Sequence, residues 1–350
     1  MAELSDSQPV CKVSIPGTHD TMTAHGFIDS ANEYEYTTQV ATLQQQMEEG
    51  LRYFDIRLAF NVVNGDSILQ AAHRTALIPV TAHEEIKLMA DYLKLHPTEF
   101  FIMKIQRDDS PNDVTEAQKT NSPRAWSRLV HEMIDYGRSL NSNLWADFRK
   151  DITVGEMRGK ILLISRTAYD EPVCGAFTNW GDEGTADYLV ADINKECTLT
   201  IAPTPLAATA YQGSEHPQAT RLFCQDYYNT IGTRIEAKQN ALKAMYDATA
   251  AIPADDYTWV INHASGFGTP MMNIEGYAEN ASVINTLFCN ILSNSTSPTG
   301  IVAMDFTATD TFNFKPSAAS PSAAAFTRNV MGKSLTEAII KQNFKTADKQ

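Results

Sequence analysis

The chain has 350 residues, of which 43% are hydrophobic and 20% charged, and its formal net charge is -14. These proportions are ordinary for a globular protein with a sizeable core and exclude a disordered chain. The acidic balance argues against nucleic acid as a partner and against electrostatic attraction to anionic lipid, because both reward an excess of lysine and arginine. A membrane surface would therefore have to be contacted through apolar side chains.

Targeting and redox signals are weak. No run of 18 apolar residues predicts a transmembrane helix, and the start MAELSDSQPV lacks the charged and apolar regions of a signal peptide. The cysteines lack the CxxC spacing of a zinc or redox site. Cys174 and Cys197 could pair in a secreted protein, although an odd count leaves at least one free thiol. The five cysteines are Cys11, Cys174, Cys197, Cys224 and Cys289.

Short apolar, β-branched segments recur along the chain and predict eight strands. Several are apolar on both faces, as expected of parallel strands that are covered by helices and enclose a packed interior. The predicted strands are residues 13–15, 53–58, 67–72, 100–105, 160–165, 222–225, 258–262 and 300–306.

The segments between these strands read as helices and long connections. Residues 36–49 are amphipathic, Thr81 and Glu84 form a capping box at the start of a helix, and residues 234–251 are a long helical stretch. Residues 112–126 and 170–194 are polar and predict long connections above the barrel. The segment 312–326 is too short to hold a second core. We therefore predict a single (β/α)₈ TIM-type barrel domain, regular or distorted, over residues 1–350.

Polar side chains stand at or near the C-terminal ends of six of the predicted strands, where TIM-type barrels carry their active sites. Taken singly, a strand-end histidine is more often structural and an Asp-x-Arg pair is more often an ion pair. Their coincidence at one end of the barrel favours function. The residues are His19 and Asp20, Asp55 and Arg57, His73, Arg166, Asp226 and Tyr228, and Asp305.

Four motifs within roughly the first 110 residues carry a family resemblance: SIPGTHDTMT, GLRYFDIR, AHRTALIPVTAHEEI and FIMKIQRD. Together they resemble the X-type core of phosphatidylinositol-specific phospholipases C, and the bacterial enzymes most of all. Weaker matches follow in RGKILLISR, FCQDYY and VAMDF. The resemblance implies a phosphodiesterase that releases diacylglycerol through attack of the inositol 2-hydroxyl and forms inositol 1,2-cyclic phosphate.

The resemblance also assigns the proton transfers. It implies that His19 is the general base for the inositol hydroxyl and that His73 is the general acid for the departing diacylglycerol oxygen. Phosphodiester cleavage needs both tasks, and imidazoles with pKa values near neutrality can perform them. Asp305 would orient His19, and Asp20 would support His73 or the attacked oxygen.

Arg57 bears on the question of a metal cofactor. By the family resemblance, mammalian relatives have an acidic calcium ligand at the position of Arg57, whereas the calcium-independent bacterial enzymes have an arginine there. A guanidinium supplies fixed positive charge to a phosphate whose charge grows in the transition state. We therefore expect no metal cofactor. Calcium remains an alternative, because Asp20 and Asp55 could be supplemented by backbone oxygens, water and substrate.

The resemblance assigns a second set of residues to the inositol ring. Arg166 and Asp226 resemble residues that hydrogen-bond the ring hydroxyls, and Tyr228 resembles the tyrosine on which the ring packs. Gln106 stands where some bacterial relatives have an inositol-contacting lysine. The choice among inositol lipids, glycosylated anchors and soluble cyclic phosphate therefore stays open.

The expected partners are phosphatidylinositol or a related inositol phospholipid and, transiently, the membrane surface. Phe267, in a rim loop after His263, and Trp180 are the predicted membrane-contacting side chains. We expect a monomer that is secreted, with the cytoplasm as the alternative location. Two other functions stay open: a metal-dependent glycerophosphodiester hydrolase on a similar barrel, and a non-catalytic inositol-lipid binder.

Overall fold

A computed structural model describes residues 1–108, 116–167, 169, 175–178, 197–200, 220–269, 272–317 and 323–345. The predicted sites at Cys174 and Trp180 lie outside these residues. Among the described cysteines, Cys11 and Cys289 are free thiols. No helix within the described ranges combines the length and the apolar character needed to cross a bilayer.

The described residues form two sheets and a set of surrounding helices. The strands are β1 Ile15–Thr18, β2 Tyr53–Val63, β3 Asp66–His73, β4 Ala76–Thr81, β5 Phe101–Arg107, β6 Ile161–Ser165, β7 Gly175–Thr178, β8 Cys197–Thr200, β9 Thr220–Gln225, β10 Trp259–His263, β11 Ile301–Met304, β12 Thr311–Phe314 and β13 Phe326–Asn329. The α-helices are α1 Glu33–Tyr36, α2 Leu43–Glu48, α3 Ala82–Leu95, α4 Glu116–Leu140, α5 Val154–Met157, α6 Arg234–Ala250, α7 Ile274–Ser293 and α8 Gly332–Gln342.

The main sheet closes on itself because β1 pairs in parallel with both β2 and β11. From β2 the barrel continues in parallel through β5 and β6, and on the other side β11, β10 and β9 are also parallel. Between β6 and β9 the described strands β7 and β8 run antiparallel to each other, and β8 runs antiparallel to β9. The predicted TIM-type barrel is therefore confirmed in a distorted form.

The predicted third strand, residues 67–72, is not one of the parallel strands of the barrel. It lies within β3, which runs antiparallel to β2 and pairs Leu58 with Ala71. The turn between them is Asn64-Gly65, where both residues have positive φ (54° and 92°), as a two-residue hairpin requires. Because β2 extends past the barrel before this turn, β3 returns toward the rim and ends there at His73.

The helix predictions are partly correct. Thr81 and Glu84 form the predicted capping box of α3, and α6 matches the predicted stretch 234–251 to within one residue. The predicted helix 36–49 is instead two short helices, α1 and α2, separated by an extended segment. The predicted connection 112–126 was wrong, because α4 begins within it at Glu116 and Trp126 packs against Phe60 of β2.

The barrel interior changes from apolar to polar toward one end. Along β2, Tyr53 belongs to the apolar cluster that fills the lower barrel, and the inward positions that follow are Asp55 and Arg57. The alternate side chains of this strand, Phe54 and Ile56, face outward and pack in the larger cluster beneath the helices. The polar upper half opens at the C-terminal ends of the strands.

Gly332, the first residue of α8, is packed against the backbone that follows β11. A Cβ atom added at this position would lie 1.9 Å from the Phe306 carbonyl oxygen and 3.0 Å from that of Thr309. Both neighbours are backbone oxygens, which cannot move aside as the end of a flexible side chain can. We therefore expect Gly332→Ala to lower the free energy of unfolding by about 1–3 kcal/mol or more. Denaturant unfolding measures this, and a change below about 0.5 kcal/mol would contradict the packing described.

Candidate active site

Three strands at the rim end in a sharp turn, and each turn comes directly after a histidine or an aspartate. His19, His73 and Asp305 are each followed by a non-glycine residue with positive φ: Asp20 (45°), Arg74 (54°) and Phe306 (55°). Such left-handed residues cost about 1–3 kcal/mol each and cluster at functional sites. The sharp turns end the strands just after the side chains that face the barrel opening.

His19 is held by a carboxylate from the neighbouring strand end. Its Nδ1 lies 2.9 Å from Asp305 Oδ1, and Asp305 Oδ2 accepts a hydrogen bond of 3.2 Å from the backbone N–H of Gly266. This pair fixes the orientation of the imidazole and leaves Nε2 directed into the site. His19 Nε2 lies 2.9 Å from Arg57 Nη2, which donates to it when the imidazole is neutral.

Asp20 lies at the centre of the site. One carboxylate oxygen, Oδ2, is 3.3 Å from Nε2 of His19 and 3.3 Å from Nε2 of His73. The other oxygen forms an ion pair with Arg57 Nε. The Asp20 side chain is fully buried, so a single shielded carboxylate links both histidines and the guanidinium.

His73 is fixed from its other nitrogen. Nδ1 donates a hydrogen bond of 2.9 Å to the backbone carbonyl of Tyr36, which leaves Nε2 as the atom that faces Asp20 and the site. The imidazole packs between the Tyr36 ring, with centroids 5.1 Å apart, and the Tyr277 ring, at 6.4 Å. The two tyrosines therefore orient His73 and shield it from water.

Deeper in the barrel, Arg57 contacts a buried ion pair formed by Asp55 and Lys104. Asp55 Oδ2 lies 3.7 Å from Arg57 Nη2, and Asp55 Oδ1 accepts a 2.6 Å hydrogen bond from Lys104 Nζ. Lys104 also contacts Gln106 Oε1, two residues further along β5. Burial opposes ionisation of Asp55, but the charge of Lys104, and then that of Arg57, holds the pKa of Asp55 well below its usual value.

The remaining predicted residues line the opposite wall of the same opening. Arg166 Nη1 donates a 3.3 Å hydrogen bond to Gln106 Oε1 and lies 4.0 Å from Asp226 Oδ2. Tyr228 stands beside them and packs against Phe267, with ring centroids 5.9 Å apart. The cavity between the two walls has a volume of about 310 Å³. It is lined by His19, Asp20, Arg57, His73, Arg74, Gln106, Arg107, Asp108, Arg166, Asp226, Tyr228, Gly266, Phe267, Met272 and Tyr277.

The two histidines differ in their affinity for a proton. Burial alone would lower the pKa of His19, but the charges of Asp20 and Asp305 outweigh it and raise the pKa to about 9. For His73, burial and then the charge of Arg57 lower the pKa to about 3. Burial also raises the pKa of Asp20, against the opposing effects of Arg57 and His19. Near neutral pH the pair therefore holds one proton, and His19 is its preferred carrier.

The structure brings all nine predicted site residues to this cavity or its immediate wall. Asp305, which does not line the cavity, acts on it through His19. Sequence reasoning missed the site role of Lys104, which is buried in the middle of the apolar strand β5. An ammonium group placed between apolar residues of a strand was the available signal. Lys104 therefore lies on the same face of β5 as Gln106 and contacts its side chain.

Phe267 does not lie at an exposed apolar tip. Its side chain is buried against Tyr228 and α7, and its backbone pairs with Asn229 after β9. The prediction that Phe267 contacts lipid was therefore wrong, because the rim loop folds back onto the barrel. His263, at the end of β10, is also buried, and its ring centroid lies 6.2 Å from that of His19.

The described part of the chain offers one group of potential metal ligands in this opening. Donor atoms of His19, Asp20 and Asp55 lie within 4.8 Å of one another. Arg57 reaches all three: it forms the ion pair with Asp20, approaches Asp55 Oδ2 at 3.7 Å and contacts His19 Nε2 at 2.9 Å. A cation bound by these donors would therefore share their carboxylates with a guanidinium.

Comparison with solved structures defines the class of fold. The chain superimposes on a single-residue mutant of the phosphatidylinositol-specific phospholipase C of Staphylococcus aureus with a TM-score of 0.69 and 17% identity, covering 96% of this chain and 94% of the other. The corresponding enzyme of Listeria monocytogenes gives a TM-score of 0.61 and 22% identity, with coverage of 98% and 97%. The fold is thus that of the bacterial phosphatidylinositol-specific phospholipases C.

Curated relatives agree with this fold. The chain is 29% identical over 223 residues to a protein of Listeria monocytogenes named 1-phosphatidylinositol phosphodiesterase, and 26% identical over 194 residues to one of the same name from Staphylococcus aureus strain Newman. These alignments span 61% and 53% of this chain, and 63% and 57% of the relatives. No protein-family model matches the chain. The resemblance that the motifs indicated is confirmed.

Proposed function

We propose that this chain is a phosphatidylinositol phosphodiesterase that cleaves the bond between glycerol and phosphate and releases diacylglycerol and inositol 1,2-cyclic phosphate. The observation that carries the proposal is the pair of imidazoles, His19 and His73, each 3.3 Å from the same carboxylate oxygen of Asp20 and flanking Arg57. One group accepts a proton while the other donates one, and the guanidinium between them binds the phosphate that reacts.

In this proposal the inositol ring occupies the wall opposite the histidines. Arg166 and Asp226 provide donors and acceptors for adjacent ring hydroxyls, and Tyr228 provides a flat apolar surface for the ring. Gln106 and Lys104 lie behind Arg166 and hold it in place. The shared name of the relatives, 1-phosphatidylinositol phosphodiesterase, supports an inositol phospholipid as the substrate. Because such a lipid is held in a bilayer by its acyl chains, the enzyme would meet it at a membrane surface.

The reaction is one displacement at phosphorus. The inositol 2-oxygen forms a bond to phosphorus as its proton passes to His19 Nε2, and the bond from phosphorus to the glycerol oxygen breaks as His73 donates its Nε2 proton to that oxygen. Asp305 holds Nδ1 of His19 and stabilises the imidazolium that forms. Arg57 stabilises the charge that develops on the nonbridging phosphate oxygens.

The resting proton must change place before this step, since His19 holds it in preference to His73. A bound phosphodiester adds a negative charge next to His73 and so raises the pKa of that imidazole. Asp20 Oδ2, at 3.3 Å from both Nε2 atoms, provides a path between them. We propose that substrate binding draws the proton from His19 to His73 through Asp20.

The pH dependence of kcat/KM tests this arrangement. Productive free enzyme carries one proton on the pair, and the pair keeps one proton between the pKa values of about 3 and about 9. We therefore expect kcat/KM to be flat through neutral pH and to fall above about pH 9, where His19 loses the proton that the leaving group needs. A narrow bell with both limbs within about one unit of pH 6.5 would contradict it.

Metal independence forms part of the proposal. The donors of His19, Asp20 and Asp55 do not suit a divalent cation, because Arg57 forms an ion pair with Asp20, lies 3.7 Å from Asp55 and would repel a second positive charge. We expect full release of diacylglycerol from phosphatidylinositol vesicles in the presence of EDTA, and no release from phosphatidylcholine vesicles. Activity that EDTA abolishes and calcium or magnesium restores would instead support a metal-dependent phosphodiesterase. Tight inositol binding without turnover would indicate a non-catalytic binder.

A further inference from the structure

We propose that Gln39 is a positioning residue that fastens the ends of β1 and β11 together and so keeps His19 aligned with Asp305. The inference rests on the proposed function in one respect, the assignment of His19 as the base. Gln39 lies in the segment between α1 and α2 and does not line the cavity. Its effect on the reaction would be exerted through the backbone of the two strand ends.

The side chain of Gln39 is completely buried, and both ends of its amide are engaged. Nε2 donates two hydrogen bonds of 2.8 Å, one to the His19 carbonyl and one to the Met304 carbonyl. Oε1 accepts from the backbone N–H of Thr307 at 3.3 Å and from its hydroxyl at 3.2 Å. One amide therefore joins the last residues of β1 to the last residues of β11.

These attachment points lie directly beside strained backbone. Asp20 follows His19 with φ of 45°, and Phe306 follows Asp305 with φ of 55°. The backbone of Thr38 adds a further link, because its carbonyl accepts a 2.9 Å hydrogen bond from the Phe306 N–H. Left-handed turns of non-glycine residues persist only where the surroundings hold them. Gln39 and Thr38 supply that restraint at both turns.

Loss of the link should be visible at His19 itself. If the two strand ends relax apart, the 2.9 Å contact between His19 Nδ1 and Asp305 Oδ1 lengthens, and the attraction that favours the imidazolium weakens. The other charged and titratable groups around His19 remain, so the change isolates the Asp305 contact. Those groups are Asp20, Asp55, Arg57, His73, Asp226 and His263.

Gln46 offers a matched control on the same side of the barrel. It is also completely buried, and its Nε2 also donates to two carbonyls, those of Thr21 at 2.8 Å and Ala41 at 2.7 Å. The Thr21 carbonyl lies one residue past Asp20, but neither carbonyl belongs to β11, so Gln46 does not connect the two strand ends. Gln39→Met and Gln46→Met therefore each remove an amide that donates to two carbonyls at similar burial, and only the first removes the link between β1 and β11 and the hydrogen bonds from Thr307.

The experiment measures three quantities on the full chain: kcat and KM on phosphatidylinositol, and the titration midpoint of the His19 imidazole by NMR. For Gln39→Met we expect kcat to fall about 10-fold to 100-fold, the scale of a misaligned catalytic group, with KM changed less than about threefold. The His19 midpoint should move downward. Gln46→Met should keep kcat within about twofold of the parent and leave the His19 midpoint in place. If Gln39→Met does not fold, Gln39→Asn, whose shorter amide cannot span both carbonyls, should show a smaller change in the same direction.

Two results would overturn the inference. One is a Gln39 variant whose His19 midpoint matches the parent; the other is an equal loss of kcat in the Gln39 and Gln46 variants that follows their loss of thermal stability. The NMR titration needs no turnover. If the parent chain fails to cleave phosphatidylinositol, the proposed function fails, while the His19 titration still decides whether Gln39 positions the pair.

Discussion

His19→Ala and His73→Ala should each lower kcat on phosphatidylinositol by about 10²-fold to 10⁴-fold, the usual effect of removing a general base or acid. A second substrate distinguishes the two roles. In it, a phenol replaces diacylglycerol as the leaving group, and the phenolate that departs is only weakly basic. Because such a leaving group departs without a proton, His73→Ala should recover most of its rate on it. His19→Ala should not recover, since the inositol hydroxyl still has to lose its proton.

His83→Ala is the control for this pair, because His83 lies exposed on α3 and stacks on Tyr136 outside the cavity. It should retain the parent rate on both substrates. Steady-state kinetics with folded variants measures each effect. Full activity of either site variant, or recovery of His19→Ala in place of His73→Ala on the phenolic substrate, would refute the assignment of base and acid.

Arg57→Met should lower kcat by about 10²-fold to 10³-fold, the effect of losing one preorganised group that stabilises transition-state charge. The variant also leaves Asp20 and Asp55 buried without their shared guanidinium. Arg57→Lys should recover little, because one ammonium cannot reproduce the planar set of donors that reaches Asp20, Asp55 and His19 together. Comparison of kcat for the two variants checks this.

Arg128→Met provides the control for charge removal, since Arg128 pairs with Glu132 on the exposed face of α4. It should leave kcat unchanged. A kcat for Arg57→Met within about threefold of the parent would mean that the guanidinium serves the fold and not the phosphate. If Arg57→Lys restored the parent kcat, a single positive charge would be enough to stabilise the phosphate in the transition state.

Much of the site could be predicted because strand ends are easy to recognise. Buried parallel strands are short apolar runs, and a polar residue that follows such a run must stand at the barrel rim. His19, Arg166, Asp226 and Asp305 were placed correctly on that basis. The hydrogen bonds among them could not be predicted. They depend on the left-handed backbone conformation of Asp20 and Phe306, which no local sequence pattern predicts.

His73 reached the rim for a different reason from the one expected. The sequence Asn64-Gly65 between two β-branched runs is a strong hairpin signal, and it would have shown that β3 returns antiparallel to β2. Periodicity alone counts apolar runs without giving their direction. The position of His73 was therefore expected correctly although the strand topology was not.

The missed role of Lys104 and the wrong prediction for Phe267 have a common cause. Burial of a charged side chain depends on partners from other strands, here Asp55, and burial of a loop aromatic depends on the helix that covers it, here α7. Both are long-range contacts, and neither is visible in a local window of sequence. The same limit explains why the polar residues that open α4 were taken for a connection.

Phosphorus NMR of the reaction with phosphatidylinositol, in the presence of EDTA, tests the central claim most directly. Intramolecular attack with His19 as the base predicts that a five-membered cyclic phosphodiester signal, that of inositol 1,2-cyclic phosphate, appears as the substrate signal declines. The first product to accumulate should be this cyclic species. Direct formation of an inositol monophosphate signal with no cyclic phosphate at any time would contradict the account.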